Sequence, residues 1–583
     1  MLKDVISVFK REYEKIGDSY ITHSYIPADG EYIIVDTFEN NFKDLGSFII
    51  EKDKKTKEID ITNFYFDFVR EADYLSKLLD MNKPIDPKKV IHSNNYLSFF
   101  IKKENVNNGK LTDEIIDKYY EILKNPLIKY KNAKAKKLYE EVEEKHGKAD
   151  HKLIDEIKNW IKNNIHDLVD KDSKEKTYLK IFFKYDLDKY KKESEKYILT
   201  NLYNSNDYNI SIEDKIHGLP NDNMGLNSKK PYLENKTRKS KVPYLLSKEE
   251  VLIQKKFFDY LMNKVSVGKN NIYVNENGIK ALSNNEILKG DFTGYYLRIQ
   301  KGKEVEIHNF DTIVDYNSNI KPFKFENVLE LEKTKLEYNI VVNTMEYAKN
   351  LINEVFFNKF LTSNYFTEAK DLNINDATLK RSILLSRDAL FTWFYKGINN
   401  NVWKNLNISS LNLIKGSINN GYLQKASDQF NLRCSLKNYF EGGVSMADVL
   451  LEVKNSLREK INKNDTDIIK SDREYYFAVG QLTSYFISLS KGKSKVHSLA
   501  NPIINGKTDK RIKDELRKLY KRYNYTINVS NKRFKNLFAM VSSYIPEEKV
   551  NEDLIIAGYL HSNLIYEKSK NENNEEEVKN EDE

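Results

Sequence analysis

The sequence has one cysteine, Cys434, among 583 residues. A single cysteine excludes an intramolecular disulfide and a cysteine-based zinc ribbon, and we expect Cys434 to be a buried, inert thiol rather than a catalytic one. No apolar run approaches the roughly 18 residues that a membrane-spanning helix needs. The N-terminus mixes charges with apolar residues and lacks the apolar core and cleavage site of a signal peptide. We therefore expect a cytoplasmic protein with no membrane partner.

Signatures of catalysis are also scarce. The GKS triplet at residues 492–494 lacks the earlier glycine of a phosphate-binding loop, because that position is Ile487. Serine-hydrolase and zinc-protease motifs are missing. Asp186 and Asp188 form a D-x-D pair, which suits either a cation site or a polar strand end. We predict a non-enzyme without catalytic residues, metal or cofactor; a metal-dependent nuclease that uses this pair is the alternative.

Positive charge is present in excess and is unevenly distributed. The net charge is +8, but residues 567–583 hold eight acids against three lysines, so the rest of the chain carries +13. Residues 491–535 hold fourteen basic residues against three acids. Such concentration is typical of nucleic-acid binding. The residues of this stretch predicted to contact nucleic acid are Lys491, Lys493, Lys495, Lys507, Arg511, Lys518, Lys521, Arg522, Lys532, Arg533 and Lys535.

Aromatic residues alternate with these cations. Tyr520, Tyr523, Tyr525 and Phe534 would suit a single-stranded groove, where rings stack on bases and cations follow phosphates. The alternative is that rings such as Tyr520 and Phe534 are core residues of two helices.

A second basic stretch is the loop of residues 217–243. Its glycines and prolines exclude a long helix or central strand, so we expect mostly loop. From residue 229 to 248 there are seven basic residues and one acid. An anionic ligand would explain this composition, and a solvated surface loop is the alternative. The predicted contact residues are Asn221, Asn223, Asn227, Lys229, Lys230, Lys236, Arg238, Lys239 and Lys241.

Four segments carry a resemblance to a known family. They are GLPNDNMGLNSKKPYL, VPYLLSKEEVLIQKKFFDYLMN, SNNYLSFF at residues 93–100 and AVGQLTSYF at residues 478–486. These segments resemble the large subunit of the type I-B CRISPR Cascade surveillance complex, and the similarity runs to about residue 566. Some large subunits of CRISPR complexes carry cysteine zinc motifs, and this chain departs from them.

The resemblance implies a non-catalytic subunit in antiviral defence. It implies crRNA, double-stranded target DNA, the Cascade backbone, handle-binding and small subunits and a recruited helicase-nuclease as partners. The subunit would recognise the PAM in duplex DNA and stabilise the R-loop, while guide pairing reads the target sequence. We expect the loop to contact the PAM or the crRNA handle, and the cations of residues 491–535 to hold a DNA strand. An architectural crRNA-binding scaffold that never binds duplex DNA is a further alternative.

Met446 is a candidate internal start. The preceding Glu441, Gly442 and Gly443 have codons that can spell a ribosome-binding sequence. Several genes of type I large subunits resemble this one in encoding a small subunit from an internal start. We predict that residues 446–583 are also made alone.

Periodicity predicts an α+β protein with a mixed N-terminal region of short strands and helices and an all-helical C-terminal bundle. The predicted divisions are 1–343, 344–445, 446–566 and a disordered acidic tail, 567–583. We predict strands at 30–36, 47–51, 58–61 and 177–186, and a hairpin at 294–308. We predict helices at 2–16, 66–81, 509–522, 531–543 and 547–566, one capped by Ser247 and Glu250, and a solvent-facing helical insertion at 111–166.

Overall fold

The computed structural model describes residues 1–37, 42–53, 59–169, 176–221, 237, 244–465, 467–492, 495–528 and 530–567. The chain divides into two compact units. The first contains Met1–Ser283 and Gly294–Thr312, and the second contains Asn284–Thr293 and the chain from Ile313 onward. Strands and helices mix in the N-terminal region and helices dominate the C-terminal half, which confirms the α+β prediction. The predicted divisions at 343 and 445 stay predictions, and the acidic tail beyond residue 567 lies outside the described residues.

The helices of the N-terminal region are α1 (Leu2–Ile16), α2 (Ser19–Thr22), α3 (Phe66–Ser76), α4 (Lys103–Asn107), α5 (Asp113–Lys124), α6 (Ala133–His146), α7 (His151–Asn164), α8 (Leu187–Asn201) and α9 (Lys248–Ser266). The strands are β1 (Gly30–Asp36), β2 (Lys43–Ile50), β3 (Ser98–Lys102), β4 (Tyr178–Phe183), β5 (Ile210–Ile212), β6 (Lys215–Gly218), β7 (Leu246–Ser247), β8 (Asn271–Asn275), β9 (Gly278–Leu282), β10 (Asp291–Lys301), β11 (Val305–Asn317), β12 (Asn319–Phe325) and β13 (Ile340–Thr344).

The C-terminal helices are α10 (Met345–Val355), α11 (Ala377–Lys396), α12 (Val402–Asn419), α13 (Leu423–Glu441), α14 (Met446–Asn462), α15 (Asp472–Ser488), α16 (Asn501–Ile504), α17 (Asp509–Tyr523), α18 (Lys532–Ser543) and α19 (Glu552–Leu560). Within the part of the chain that the structure describes, no helix has the length and apolar character to span a bilayer.

A four-stranded mixed sheet in the order β2-β1-β4-β3 organises the first unit. β1 runs antiparallel to β2 and parallel to β4, and β3 runs antiparallel to β4. The central position of β4 explains its run of buried apolar residues, since both of its faces are covered. The strands predicted at 30–36, 47–51 and 177–186 are present as β1, β2 and β4, and β4 ends at Phe183, three residues earlier than predicted. We predicted a strand at 58–61, and residues 59–61, which the structure describes, lie in no strand. The prediction is therefore wrong for these residues.

The helices α5 and α7 pack on this sheet, whereas the buried residues of α6 lie in separate small clusters. Ile116, Tyr119, Ile154, Ile157 and Ile161 are fully buried in the same core cluster as the strands. The prediction of a solvent-facing insertion is therefore wrong. Apolar residues at i, i+3 and i+4 spacing form one inward stripe on each helix, and the many charges cover only the outer sides.

A second sheet has the order β11-β10-β8-β9, which confirms the predicted hairpin. Its inner face packs against α1 and α9 through Val5, Phe9, Phe257 and Leu261. The predicted capping box at the start of α9 is present, because Ser247 accepts a bond from the Glu250 amide and Glu250 accepts one from the Ser247 amide. Smaller sheets join β5, β6 and β7, and β12 with β13.

The second unit has a helical core that includes Ile414, Phe430, Leu457 and Leu482. Cys434 lies in this core, and burial raises the pKa of its thiol, as expected for an inert cysteine. The core contains residues from both sides of the predicted division at 445. A small subunit made of residues 446–583 alone would therefore have to cover apolar faces that α12 and α13 cover here.

The last predicted helix is shorter than expected. It begins at Glu552 rather than residue 547, because the Asp472 carboxylate accepts the backbone amides of Glu547 and Glu548 at 3.0 and 2.6 Å. Asn551 then caps α19 by accepting the Leu554 amide at 3.1 Å.

Candidate nucleic-acid interface

Helix α17 presents a row of cations to solvent. It buries Ile512, Leu516 and Leu519, as predicted, together with Tyr523. Most of its basic residues face outward because one side of the helix is committed to the core. Together with the first turns of α18 they form a surface that we call the C-terminal basic face. Its members are Lys510, Arg511, Arg517, Lys518, Lys521, Arg522, Lys532 and Lys535, all of which are exposed.

The acids of this region neutralise few of these cations. Each acid of α17 pairs within the helix: Lys513 with Asp509 at 3.0 Å, Arg517 with Asp514 at 3.0 Å and Lys518 with Glu515 at 2.8 Å. Within the described residues, the side chains of Lys510, Arg511, Lys521 and Lys535 have no hydrogen-bond or ion-pair partner. These four side chains are therefore available to an external anion.

The aromatic rings beneath this face belong mainly to the core. Phe534 is buried, and Tyr520 packs against Phe538 with ring centroids 5.1 Å apart. Tyr525 differs, because it is 66% exposed and the Lys491 Nζ lies 5.5 Å from its ring centroid. Core packing therefore accounts for Tyr520 and Phe534, and Tyr525 is the ring with a surface free to stack on a base.

The predicted cations differ in how many of their hydrogen-bond donors are already used within the protein. Lys495 donates to the Ser488 carbonyl at 2.7 Å and Lys532 donates to Asn464 Oδ1 at 2.7 Å. Arg533 is half-buried and donates to Asn462 Oδ1 at 2.7 Å and to a backbone carbonyl. These three side chains have structural bonds and fewer donors left for phosphate.

The predicted cations also lie at two ends of α17. Lys507 and Arg511 lie near its start, and Lys521 and Arg522 lie in its last turn. Ten residues of helix span about 15 Å, so the two groups of cations lie about that far apart along the helix. Lys507 also forms an ion pair with Glu552.

Most of the predicted loop contacts lie outside the described residues. They are Asn223, Asn227, Lys229, Lys230, Lys236, Arg238, Lys239 and Lys241, and Lys493 of the second stretch lies outside them as well. Asn221 is described and half-buried. Its backbone amide donates to the Leu202 carbonyl at 2.6 Å, and its side chain donates to Asp80 Oδ2 at 2.7 Å. Asn221 thus anchors the start of the loop.

Asn221 lines a cleft of about 660 Å³ in the first unit. The charged residues among the described lining are Lys77, Lys255, Lys303, Asp80, Asp259 and Glu304. Three cations face three acids, so the wall has no net charge. Asp259 accepts the Tyr74 hydroxyl at 2.9 Å and lies 3.7 Å from Lys77. Burial lowers the pKa of Lys77. The cleft therefore lacks the charge excess that a polyanion needs.

The two shorter resemblance motifs have structural roles. In residues 93–100, Asn95 donates to the Tyr190 carbonyl at 3.0 Å, and Asn94 donates to the Lys77 carbonyl at 2.7 Å. In residues 478–486, a Cβ on Gly480 would overlap the Ile555 carbonyl, so α15 and α19 touch backbone to backbone. These motifs specify packing rather than a ligand contact.

The residues of the alternative nuclease hypothesis have a structural use as well. Asp186 caps α8 by accepting the Asp188 amide at 2.9 Å. In the described ranges, no group of three or more histidine, cysteine, aspartate and glutamate side chains is placed to hold a metal. Met446 is the first residue of α14, and the Ser445 hydroxyl caps that helix at the Ala447 amide, 3.1 Å away.

No protein-family model, curated protein or solved structure matches this chain. Its function is therefore inferred from the C-terminal basic face, the anchored loop and the motifs themselves.

Proposed function

We propose that this chain is the non-catalytic large subunit of a Cascade-type, crRNA-guided surveillance complex in the cytoplasm. It recognises the PAM in duplex DNA and stabilises the R-loop. The four resemblance segments support the assignment to this kind of complex. The C-terminal basic face supports the part of the assignment that concerns nucleic acid.

The observation that carries the proposal is the set of exposed cations without acidic partners on α17 and α18. Phosphates that replace counterions at such a surface release those ions, which favours binding and makes it salt-dependent. The contact is independent of base identity. That property suits a strand whose sequence the guide RNA already reads.

The loop that begins after Asn221 takes the PAM-proximal role in this proposal. Asn221, the residue before the loop, is held by the Leu202 carbonyl and by Asp80. Asparagine and lysine side chains are suited to base edges and phosphates in a DNA groove. The seven basic residues against one acid between 229 and 248 supply the charge.

Gel-shift titration of the assembled complex with crRNA and sister subunits tests the proposal. The wild-type complex should bind a PAM-bearing duplex more tightly than a PAM-less one. The triple variant Lys229→Glu, Lys230→Glu and Arg238→Glu should lose this preference. The triple variant Lys521→Glu, Arg522→Glu and Lys535→Glu should bind both duplexes more weakly and keep the preference.

A matched control changes three exposed lysines of the first unit, Lys110→Glu, Lys136→Glu and Lys152→Glu, and should behave as wild type. Failure of the wild-type complex to bind either duplex, with crRNA binding intact, would instead indicate an architectural scaffold. Metal-dependent DNA cleavage that disappears with Asp186→Ala would indicate a nuclease.

A further inference from the structure

A polar groove of about 350 Å³ lies in the second unit, where the start of α11, the later turns of α12 and the short helix α16 meet. The polar side chains that matter here are Arg381, Asn412, Lys415, Asn419, Asn501 and Asn505. The lining combines two cations with four amides, and no carboxylate is among its described residues. Such a lining favours an anion that also offers hydrogen-bonding groups.

The cations of the groove are not fully neutralised. Arg381 is exposed, and the described part of the chain contains no hydrogen-bond or ion-pair partner for its guanidinium. Lys415 forms an ion pair with Glu552, which also pairs with Lys507. One carboxylate shared by two lysines leaves that cluster positive, and Arg381 adds a second positive charge. A guanidinium is well suited to grip a phosphate with two hydrogen bonds.

The amides are partly fixed and partly free. Asn501 donates to Asn419 Oδ1 at 2.6 Å, and Asn505 donates to the Asn501 carbonyl at 3.0 Å. These bonds hold one wall of the groove in place. The exposed Asn412 side chain has no hydrogen-bond partner among the residues that the structure describes. An asparagine amide offers a donor and an acceptor side by side, which matches the edge of a base such as adenine.

Two residues of the groove lining, Ser382 and Gly416, are small. A Cβ on Gly416 would lie 3.3 Å from the Thr378 side chain, so α11 and α12 approach closely at this point. Ser382 is buried beside it. The volume is at the lower end of the range for small-ligand sites and is sufficient for one nucleotide rather than a duplex.

We propose that this groove binds a single nucleotide, with the phosphate at Arg381 and Lys415 and the base edge at Asn412. The nucleotide is either one unstacked unit of a strand or a free mononucleotide, since both offer the same groups. The strand form deepens the proposed function and rests on it, because the C-terminal basic face would hold that strand. The free-nucleotide form does not depend on it.

The test is calorimetric titration of the full chain with adenosine monophosphate, inorganic phosphate and a six-nucleotide oligo(dA). Arg381→Ala should weaken binding of the nucleotide ligand about tenfold, and Asn412→Ala should weaken it several-fold without changing the affinity for phosphate. Lys404→Ala, an exposed lysine of α12 outside the groove lining, should change neither. All three side chains are exposed, and thermal unfolding of each variant checks that folding is intact.

Comparison of the monophosphate with the oligonucleotide shows whether the bound nucleotide is free or part of a strand. Arg381-dependent binding of the monophosphate indicates a free nucleotide, whereas Arg381-dependent binding of the oligonucleotide alone indicates a strand. The variant Lys521→Glu, Arg522→Glu and Lys535→Glu should leave monophosphate binding unchanged, so failure of the basic face and failure of the groove are separable. Unchanged affinity for every ligand in Arg381→Ala would overturn the proposal. Equal binding of phosphate and nucleotide that ignores Asn412→Ala would overturn it as well, because it would reveal a plain anion site.

Discussion

Two sets of lysines, one in each unit, have opposite surroundings. In the first unit several are buried and paired: Lys180 with Asp73, Lys255 with Asp259 and Lys256 with Asp18. On the C-terminal basic face of the second unit, Lys521 and Lys535 are exposed and have no acidic partner among the described residues. The same residue type therefore has a structural role in one region and is free for binding in the other.

This difference shows that counting charges along the sequence does not locate an interface. A buried lysine has lost its hydration and depends on its partner, so removal of that partner leaves a costly bare charge. An exposed lysine keeps its water and contributes little to stability, and its charge remains available to a polyanion. Exposure and pairing together separate the two roles.

The largest expected effect comes from breaking a buried ion pair of the first unit. Asp73 is fully buried and accepts bonds from Lys180 and from the Tyr25 hydroxyl. Asp73→Ala should lower the free energy of unfolding by about 3–5 kcal/mol, since Lys180 is left buried and unpaired. Urea denaturation measures the change. Asp67→Ala removes an acid from the same helix that is 84% exposed and should cost under about 1 kcal/mol; a similarly small loss for Asp73→Ala would refute the structural role.

The next largest effect comes from reversing three charges of the C-terminal basic face. Lys521→Glu, Arg522→Glu and Lys535→Glu together should lower the affinity for single-stranded oligonucleotide on the order of 10- to 100-fold at low salt. The free energy of unfolding should stay within about 1 kcal/mol of wild type, because these side chains are exposed. Fluorescence anisotropy and urea denaturation give the two values. A large loss of stability in this variant would show that the distinction between the regions is wrong.

A pH titration tests the ion pair between Asp18 and Lys256 in the first unit. Burial acts to raise the pKa of Asp18, but attraction by Lys256 and hydrogen bonds from Tyr13 and Lys256 outweigh it and lower the pKa to about 2. The ordinary value is 3.8. This depressed pKa adds about 2 kcal/mol of stability above pH 4, which is lost as the pH falls toward 2.

Urea denaturation of wild type and Asp18→Asn between pH 5 and 2 checks this expectation. The difference in stability between the two proteins should shrink by about 2 kcal/mol over that range. A difference that is constant with pH would contradict the ion pair.

The smallest effect concerns a paired cation on the exposed face. Lys518 lies 2.8 Å from Glu515 and is 69% exposed. Lys518→Ala should change the free energy of unfolding by less than about 0.5 kcal/mol, as exposed helix pairs do. It should weaken oligonucleotide binding only about twofold, because Glu515 already offsets its charge. An effect as large as that of Lys521→Ala under the same conditions would show that intrahelical pairing does not reduce a cation's contribution.

Local signals predicted much of the fold. The strands at 30–36 and 177–186, the hairpin and the cap at Ser247 depend on neighbouring residues, and the structure confirms them. The helix predicted at 66–81 ends at Ser76 instead, because Lys77 is extended and bridges Ser93. That contact joins residues that are distant in sequence, so periodicity did not reveal it.

The candidate sites divide in the same way. The basic residues of α17 were predicted because they form one dense run with an inward apolar stripe. The groove was missed because Arg381, Asn412 and Asn501 come from three separate helices. No sequence motif links residues that only the packing of α11, α12 and α16 brings together.

The salt dependence of oligonucleotide binding tests the central claim most directly. The logarithm of the binding constant is measured against the logarithm of salt concentration for the full chain and for the variant Lys521→Glu, Arg522→Glu and Lys535→Glu. The loss of three phosphate contacts should make the slope shallower by about 2, at roughly 0.7 for each contact to a single strand. The control Lys110→Glu, Lys136→Glu and Lys152→Glu should keep the wild-type slope. A basic-face variant with the affinity and slope of the wild type would contradict the account.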